Sequence, residues 1–118
     1  MKIVNLTQHD PTAEQAAEGV FDFSTGEIRP LLNFDSLPER GEITARAQAL
    51  AAQARASGAE AALVGGAPFL MEPLCAALRE AGVRPLFAFS RRESAEETLP
   101  DGSVRKVAVF RHAGWIPA

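Results

Sequence analysis

Short apolar runs alternate with longer helical segments along this chain, and this alternation constrains the fold more than any other feature of the sequence. Three of the runs are typical of buried strands: residues 3–6 (IVNL), 61–64 (AALV) and 86–89 (LFAF). The longer segments between them carry apolar residues at helical spacing and end at Gly58 and Gly82, since glycine commonly terminates helices. Strands joined through helices pair in parallel with right-handed crossovers. We therefore expect an α/β fold.

The C-terminal part predicts a different kind of pairing. Pro100-Asp101-Gly102 is a turn signal between two extended runs, residues 90–98 and 104–112. If Leu99 pairs with Ser103, Ser90 lies opposite His112 and Arg91 opposite Arg111. The full expectation is a small Rossmann-like, mainly parallel sheet flanked by helices, with a C-terminal antiparallel β-hairpin.

The remaining segments are less regular. Thr12 and Gln15 have the spacing of a capping box, and Gly19 soon ends the short helix that they would open. Residues 20–37 suggest a small hairpin or an irregular flap, with Val20–Phe23 and Ile28 alternating around Ser24-Thr25-Gly26. Ser36 is the expected N-cap of the first long helix, with Glu39 three residues on.

The second long helix has two possible beginnings. It starts either at Pro73, which leaves residues 67–71 as a loop, or at Pro68, which places Pro73 inside the helix. Along the first long helix, Glu42 and Arg46 have the spacing of an ion pair worth about 0.3–0.5 kcal/mol. Both helices are expected to turn an apolar face to the sheet.

Length and composition narrow the class of protein. A chain of 118 residues is expected to form one domain, residues 1–118. Ala occupies 22 positions, so the core is small and a homodimer would help to stabilise it. The net charge of −3 argues against a duplex nucleic-acid binder. No signal peptide or membrane span is recognised, which predicts a cytoplasmic protein without a membrane partner.

Ligands of open parallel sheets bind beyond the carboxyl ends of the strands. This rule selects three segments: Thr7-Gln8-His9, Gly65-Gly66-Ala67-Pro68 and Ser90-Arg91-Arg92-Glu93-Ser94. Two glycines between a strand and a helix allow backbone N–H groups to approach an anion, although a sharp turn would explain them equally well. Neighbouring arginines can clamp a phosphate, but in an extended run only one of the two faces a given side.

His9 and His112 are the two histidines, and they are the candidates for acid–base chemistry near neutral pH. A structural role is the alternative for each of them. No metal-ligand spacing is present, so we predict no metal and no cofactor. Cys75 lies on an apolar helix face and is expected to be part of the core.

Three segments, NLTQHDPTAEQ, GGAPFLMEPL and FSRRESAEETLPDGSVRKVAVFRHAGW, resemble an uncharacterised family of small bacterial and prophage proteins over most of the chain. More distantly, the layout resembles the small CRISPR-associated Rossmann-like (CARF-type) proteins that include ring nucleases. Two patterns carry this likeness: His9, Thr12, Glu14 and Gln15 at the first helix, and Gly66, Pro68, Leu70, Gly82 and Arg91 around the second long helix.

The second resemblance implies a function. Ring nucleases bind cyclic oligoadenylates across a homodimer axis and cleave them without metal, by attack of a ribose 2′-hydroxyl on the neighbouring phosphate. The implied activity is nucleotide binding with metal-independent phosphodiester cleavage. The alternatives are a non-catalytic nucleotide sensor or sponge, and a protein–protein interaction module that docks a partner through the hairpin and Trp115.

The candidate site residues follow from these arguments. Those expected to be catalytic are His9, His112 and Arg91. Those expected to bind the nucleotide are Thr7, Gln8, Gly65, Gly66, Ala67, Ser90 and Arg92.

Overall fold

The computed structural model describes residues 1–23 and 28–118, which form an α/β fold around one five-stranded sheet. The strand order is β2-β1-β3-β4-β5; the first four strands are parallel and β5 is antiparallel to β4. The predicted fold class is confirmed. In chain order the elements are β1 Ile3–Leu6, α1 Ala13–Ala17, β2 Val20–Phe21, α2 Arg29–Leu32, α3 Arg40–Ala56, β3 Ala61–Val64, α4 Pro68–Glu80, β4 Arg84–Thr98 and β5 Val104–Pro117.

The chain leaves the two central strands in opposite directions. From β1 it passes through α1 to β2 on one side, whereas from β3 it passes through α4 to β4 on the other. Right-handed crossovers in opposite directions place their helices on opposite faces of the sheet. The carboxyl ends of β1 and β3 therefore diverge, which is the position where open α/β sheets bind ligands.

The core consists of two unequal layers. On one face, α3 and α4 pack on alternate residues of β1 and β3 through Leu50, Leu70, Leu74 and Leu78, all fully buried. The other face has a smaller cluster that is partly covered by Trp115 of β5; its members are Ile3, Val20, Ala61, Leu63 and Leu86. Most of the buried apolar area thus lies on the α3–α4 side.

The predicted hairpin register is confirmed from the turn to Ser90. Leu99 N–H donates to the Ser103 carbonyl at 2.8 Å, Ser90 lies opposite His112, and Arg91 lies opposite Arg111. The Asp101 carboxylate accepts hydrogen bonds from the Ser103 hydroxyl and N–H, and these bonds lower its pKa. The turn chemistry therefore sets the pairing along the outer part of the hairpin.

The interpretation of residues 20–37 as a small hairpin is wrong where the structure describes them. Val20–Phe21 pairs in parallel with β1, and Ile28 immediately precedes a helix, α2, that carries Pro30 in its first turn. Ser24-Thr25-Gly26, the expected turn, lies outside the described residues. A two-residue strand is too short to show the alternating pattern of a strand in its sequence. Its pairing is determined by the edge of β1 that β3 does not occupy.

At the helix ends, one prediction is wrong, and the structure decides between the two alternatives for the start of α4. Glu39, not Ser36, is the N-cap of α3: Glu39 is extended at ψ 156° and the helix begins at Arg40. Leu37 precedes Pro38, and a residue before proline disfavours helical φ/ψ. At the other end Gly58, at φ +77°, follows the C-cap as predicted. For α4 the structure selects the longer alternative: the helix begins at Pro68 and contains Pro73.

Other local predictions are confirmed. Thr12 and Gln15 form a reciprocal capping box at α1, and Glu42 lies 2.7 Å from Arg46 on α3. None of the helices in the described part of the chain is both long and apolar enough to cross a membrane.

The buried Cys75 gives a test of the packing around α4. Desolvation raises the pKa of its thiol above the usual value, although the charge of Arg79 opposes the shift. Since the thiolate is the reacting species, we expect slow alkylation of native protein at pH 8 and fast alkylation in denaturant. Mass spectrometry of timed iodoacetamide reactions measures both rates. Equal rates in the two conditions would contradict the burial of Cys75.

Candidate functional site

The loops that follow β1 and β3 enclose a cavity of about 310 Å³. Thr7, Gln8 and His9 line it from the β1 side, and Gly65 and Gly66 line it from the β3 side. These two segments are far apart in sequence, and the parallel pairing of Leu6 with Val64 brings them together. Five predicted nucleotide-site residues therefore share one cavity at the point where the two central strands diverge.

A second cavity of about 200 Å³ shares Thr7 and His9 with the first. Its walls combine polar groups of the β1–α1 region, Asp10 and Gln15, with the apolar side chains of Leu63 and Phe87. The two cavities together offer a backbone-lined part beside the glycines and a partly apolar part beside β4.

Asn5, which is not among the predicted site residues, organises the loop after β1. Its side chain is buried in β1, where an unpaired amide would be costly. The amide nitrogen donates to the His9 carbonyl and to Asp22 Oδ1, both at 2.8 Å. The amide oxygen accepts from the N–H of Thr7 at 3.0 Å and from its hydroxyl at 2.7 Å. A polar residue within an otherwise apolar run was the available signal.

These bonds leave the His9 ring at the cavity. The described hydrogen bonds of His9 use only its backbone: the carbonyl accepts from the Asn5 amide, and the N–H donates to the Thr7 hydroxyl at 3.3 Å. The residue is exposed and lines both cavities. The protein thus fixes the His9 backbone and leaves its imidazole accessible to a bound molecule.

The two glycines differ in what they require. Gly66 has φ +133°, a conformation that L side chains rarely adopt, so the turn itself demands glycine there. Gly65 has an ordinary φ, and a Cβ at this position would lie 3.4 Å from Cγ2 of Thr7. The turn interpretation is therefore confirmed at Gly66, whereas a Cβ at Gly65 would make an ordinary van der Waals contact with Thr7.

Ala67, another predicted binding residue, is the N-cap of α4 and supplies no side-chain cap. Its carbonyl accepts the N–H of Leu70 at 3.0 Å, which closes the first turn of the helix. The positive end of the α4 dipole therefore lies beside the glycine turn.

His112 lies elsewhere. Its side chain is only 4% exposed; its Nε2 lies 2.6 Å from Oε2 of Glu18, and its backbone N–H donates to Glu14 at 3.1 Å. Its ring packs on that of Trp115 at 4.5 Å between centroids. His112 is not among the described residues that line the two cavities. In this structure it attaches the hairpin to α1.

A β-bulge explains why His112 and Trp115 meet. Residues three apart in a regular strand point to opposite faces. Phe89 lies opposite Gly114 but Ser90 lies opposite His112, so Ala113 is an extra residue in β5. The bulge brings both rings to the α1 side, an effect that turn-based register alone does not predict.

Ser90, Arg91 and Arg92 follow this bulge and are exposed on the hairpin. Arg91 lies opposite Arg111, whereas Arg92 lies opposite Phe110, so the two guanidinium groups belong to opposite faces as the strand period predicts. The structure places neither among the residues that line the two cavities. Across residues 1–23 and 28–118, no group of three or more His, Cys, Asp or Glu side chains could hold a metal ion.

These features define an α/β protein with a crevice where the carboxyl ends of β1 and β3 diverge. The chain belongs to the Uncharacterized protein MJ1673 family, whose model matches residues 1–116. No curated protein and no solved structure matches the chain.

Two glycine substitutions test the backbone at the crevice. Gly66→Ala should lower the free energy of unfolding by about 1–3 kcal/mol, because it forces a side chain into a positive φ. Gly41→Ala is the matched control: Gly41 lies in α3 with open space around it, so alanine should stabilise by about 0.5–1 kcal/mol. Urea denaturation measures both. A neutral or stabilising Gly66→Ala would contradict the described turn.

Proposed function

We propose that this protein binds a small nucleotide in the crevice between β1 and β3. The observation that carries the proposal is the meeting of Thr7, His9, Gly65 and Gly66 around one cavity at the divergence of the two crossovers. Dinucleotide- and mononucleotide-binding sheets use the same position. Here the site is formed mostly by backbone and by one exposed imidazole.

The two cavities suit different parts of a nucleotide. A phosphate fits beside Gly65 and Gly66, where no Cβ obstructs the backbone and the positive end of α4 favours an anion. The base fits toward the second cavity, where Phe87 supplies apolar contact. The amide nitrogen of Gln15 is the donor for its edge, since the amide oxygen accepts the N–H of Thr12. A volume of about 310 Å³ is near the lower limit for small-molecule sites, so one copy accommodates a single nucleotide unit.

Phosphodiester cleavage is the second candidate function, and the exposed His9 ring favours it. In the metal-independent reaction a ribose 2′-oxygen attacks the neighbouring phosphorus, the bond from phosphorus to the 5′-oxygen breaks, and a proton passes to that leaving oxygen. His9 is suited to accept the first proton and deliver the second. Backbone N–H groups of the glycine turn would stabilise charge on the phosphate. Of the three predicted catalytic residues, His9 is the one that lines the cavities.

Cyclic oligoadenylate as the substrate, and a prophage or CRISPR-associated setting, rest on the resemblance to ring nucleases. A ring larger than one nucleotide would need the crevices of two copies, which is consistent with a homodimer. We also propose that duplex nucleic acid is not a partner, since the net charge is −3. A sensor or sponge would bind in the same crevice without turnover, whereas an interaction module would bind no nucleotide.

Binding is tested by blocking the crevice. Gly65→Leu directs a side chain toward Thr7 and should weaken nucleotide affinity at least about tenfold. Gly41→Leu, in open space on α3, is the matched control and should bind like the unmodified protein. Equilibrium dialysis against a panel of mononucleotides and linear and cyclic oligoadenylates measures affinity, and thermal melting confirms folding. Failure of the unmodified protein to bind any member would refute the proposal.

Cleavage is tested separately at His9. We expect His9→Asn to lower turnover by about 10²–10⁴-fold with little change in affinity, because it removes the proton-transfer group and keeps the backbone bonds. His112→Asn is the control for losing a histidine outside the cavities. Chromatography with mass detection, in the presence of EDTA, identifies a shortened product. Binding without product by the unmodified protein would establish the sensor or sponge instead.

A further inference from the structure

The hairpin of β4 and β5 extends well beyond the rest of the sheet. β3 pairs with β4 only from Arg84 to Leu86, and from Phe87 to Thr98 the described part of the chain provides β4 with β5 alone. Residues 88–98 are exposed apart from Ala95, which is half-buried. The radius of gyration is 16.8 Å, whereas a compact chain of this length has about 13–14 Å. We call residues 87–112 the ribbon.

A ribbon of two strands is marginally stable in water, and each of its edges presents unpaired backbone groups to other strands. The long edge of β4 that faces away from β5 is therefore available for another strand. What can bind it is determined by the charges along this edge.

The charges on β4 are self-complementary. Arg91 and Arg92 lie three and two residues before Ser94, and Glu97 and Glu96 lie three and two residues after it. When two such strands run antiparallel about Ser94, each arginine meets a glutamate. Within one chain, the described ion pairs include none for Arg91, Arg92 or Glu96, whereas Glu97 pairs with Arg105 at 2.9 Å. Arg91 lies opposite another cation, Arg111, and Glu96 lies opposite Lys106.

We propose that the β4 edges of two copies of this chain pair antiparallel about a two-fold axis at Ser94. Arg91 of one copy then lies opposite Glu97 of the second copy, and Arg92 lies opposite Glu96. The two ribbons join into a four-stranded sheet with β5 strands at its outer edges. The inference rests on the homodimer named in the proposed function and assigns it a surface, while remaining independent of the ligand.

The neighbouring registers bring like charges together. A two-fold axis places one residue opposite itself, because opposite residues of an antiparallel pair share a face of the sheet. Centring the pair on Glu93 places Glu93 opposite Glu93 of the second copy, and centring it on Ala95 places Glu93 opposite Glu97. A parallel, in-register pair would align arginine with arginine. Like charges directly opposite each other destabilise a sheet, so the register at Ser94 is favoured.

The outer edge of β5 is a poor alternative. β5 carries Arg105, Lys106 and Arg111 and contains no acidic residue, so two β5 edges would bring only cations together. Pairing of β4 with the β5 edge of another copy would leave free edges and continue into an open chain of molecules. The β4–β4 pair closes on itself.

This arrangement places the second copy near the crevice. The last pair between β3 and β4 is Leu63 with Leu86, and the strand of the second copy would begin alongside Ser90 on the same edge of β4. Its tip, residues 99–103, would therefore lie beyond the end of β3, where Gly65 and Gly66 turn into α4. Dimerisation would add a wall to the nucleotide site.

Charge reversal tests the pairing. The double variant Arg91→Glu/Arg92→Glu and the double variant Glu96→Lys/Glu97→Lys each place like charges across the axis, so each should weaken self-association at least about tenfold. An equimolar mixture should form heterodimers, because the altered halves are complementary. Sedimentation equilibrium at low and high salt measures association, and circular dichroism verifies that each variant is folded.

Three outcomes are informative. Restored association in the mixture supports the interface. Dimers that persist in both variants would refute this interface and leave the homodimer standing. Unmodified protein that is monomeric at all concentrations would refute the interface and the homodimer, while nucleotide binding would be judged by its own experiment.

A cross-link locates the axis. In a Cys75→Ala background, Ser94→Cys should form an intermolecular disulfide readily, since directly opposite residues of antiparallel strands are about 4.5–5.5 Å apart at Cα. Ala108→Cys is the control, because Ala108 lies opposite Ser94 within the same ribbon but on β5. Dimers cross-linked through residue 108 and not through residue 94 would overturn the proposal.

Discussion

The pairing of β1 on both of its edges is the constraint on which the rest of the structure depends. All four residues of this strand are buried, including the polar Asn5. A buried amide is stable only when its hydrogen-bonding groups are used, and Asn5 uses them on Thr7, His9 and Asp22. The same residue that completes the core therefore shapes the loop at the crevice and ties it to the end of β2.

The crevice is formed by topology more than by charge. Two neighbouring strands send their chains to opposite faces, and the gap between them is lined by a glycine turn, a threonine hydroxyl and an imidazole. A site of this kind recognises a ligand by backbone approach and shape. The arginines that a sequence reader would expect at a phosphate lie instead on the ribbon, where their spacing relative to Glu96 and Glu97 suits another copy of the chain.

Features set by local chemistry could be predicted from the sequence. The capping box at Thr12, the glycine that follows α3 and the turn before Ser103 each involve residues a few positions apart, and the structure agrees with all three. Features set by distant partners could not. The pairing of Val20–Phe21 depends on the edge of β1, the contacts of Asn5 include Asp22, and the side to which His112 points depends on an extra residue at Ala113.

The length of the ribbon also bears on how the chain folds. Its strands are joined by a tight turn, so their contacts are local in sequence, and hairpins close in about 1–10 μs. The pairing of β1 with β3 requires closure of a much longer loop through α1, β2 and α3, which is slower. When the whole chain refolds, the local contacts of the hairpin are thus the faster ones to form. Its β4 edge is then open along its whole length, and the charges along that edge limit which chains can add to it before β3 pairs with β4.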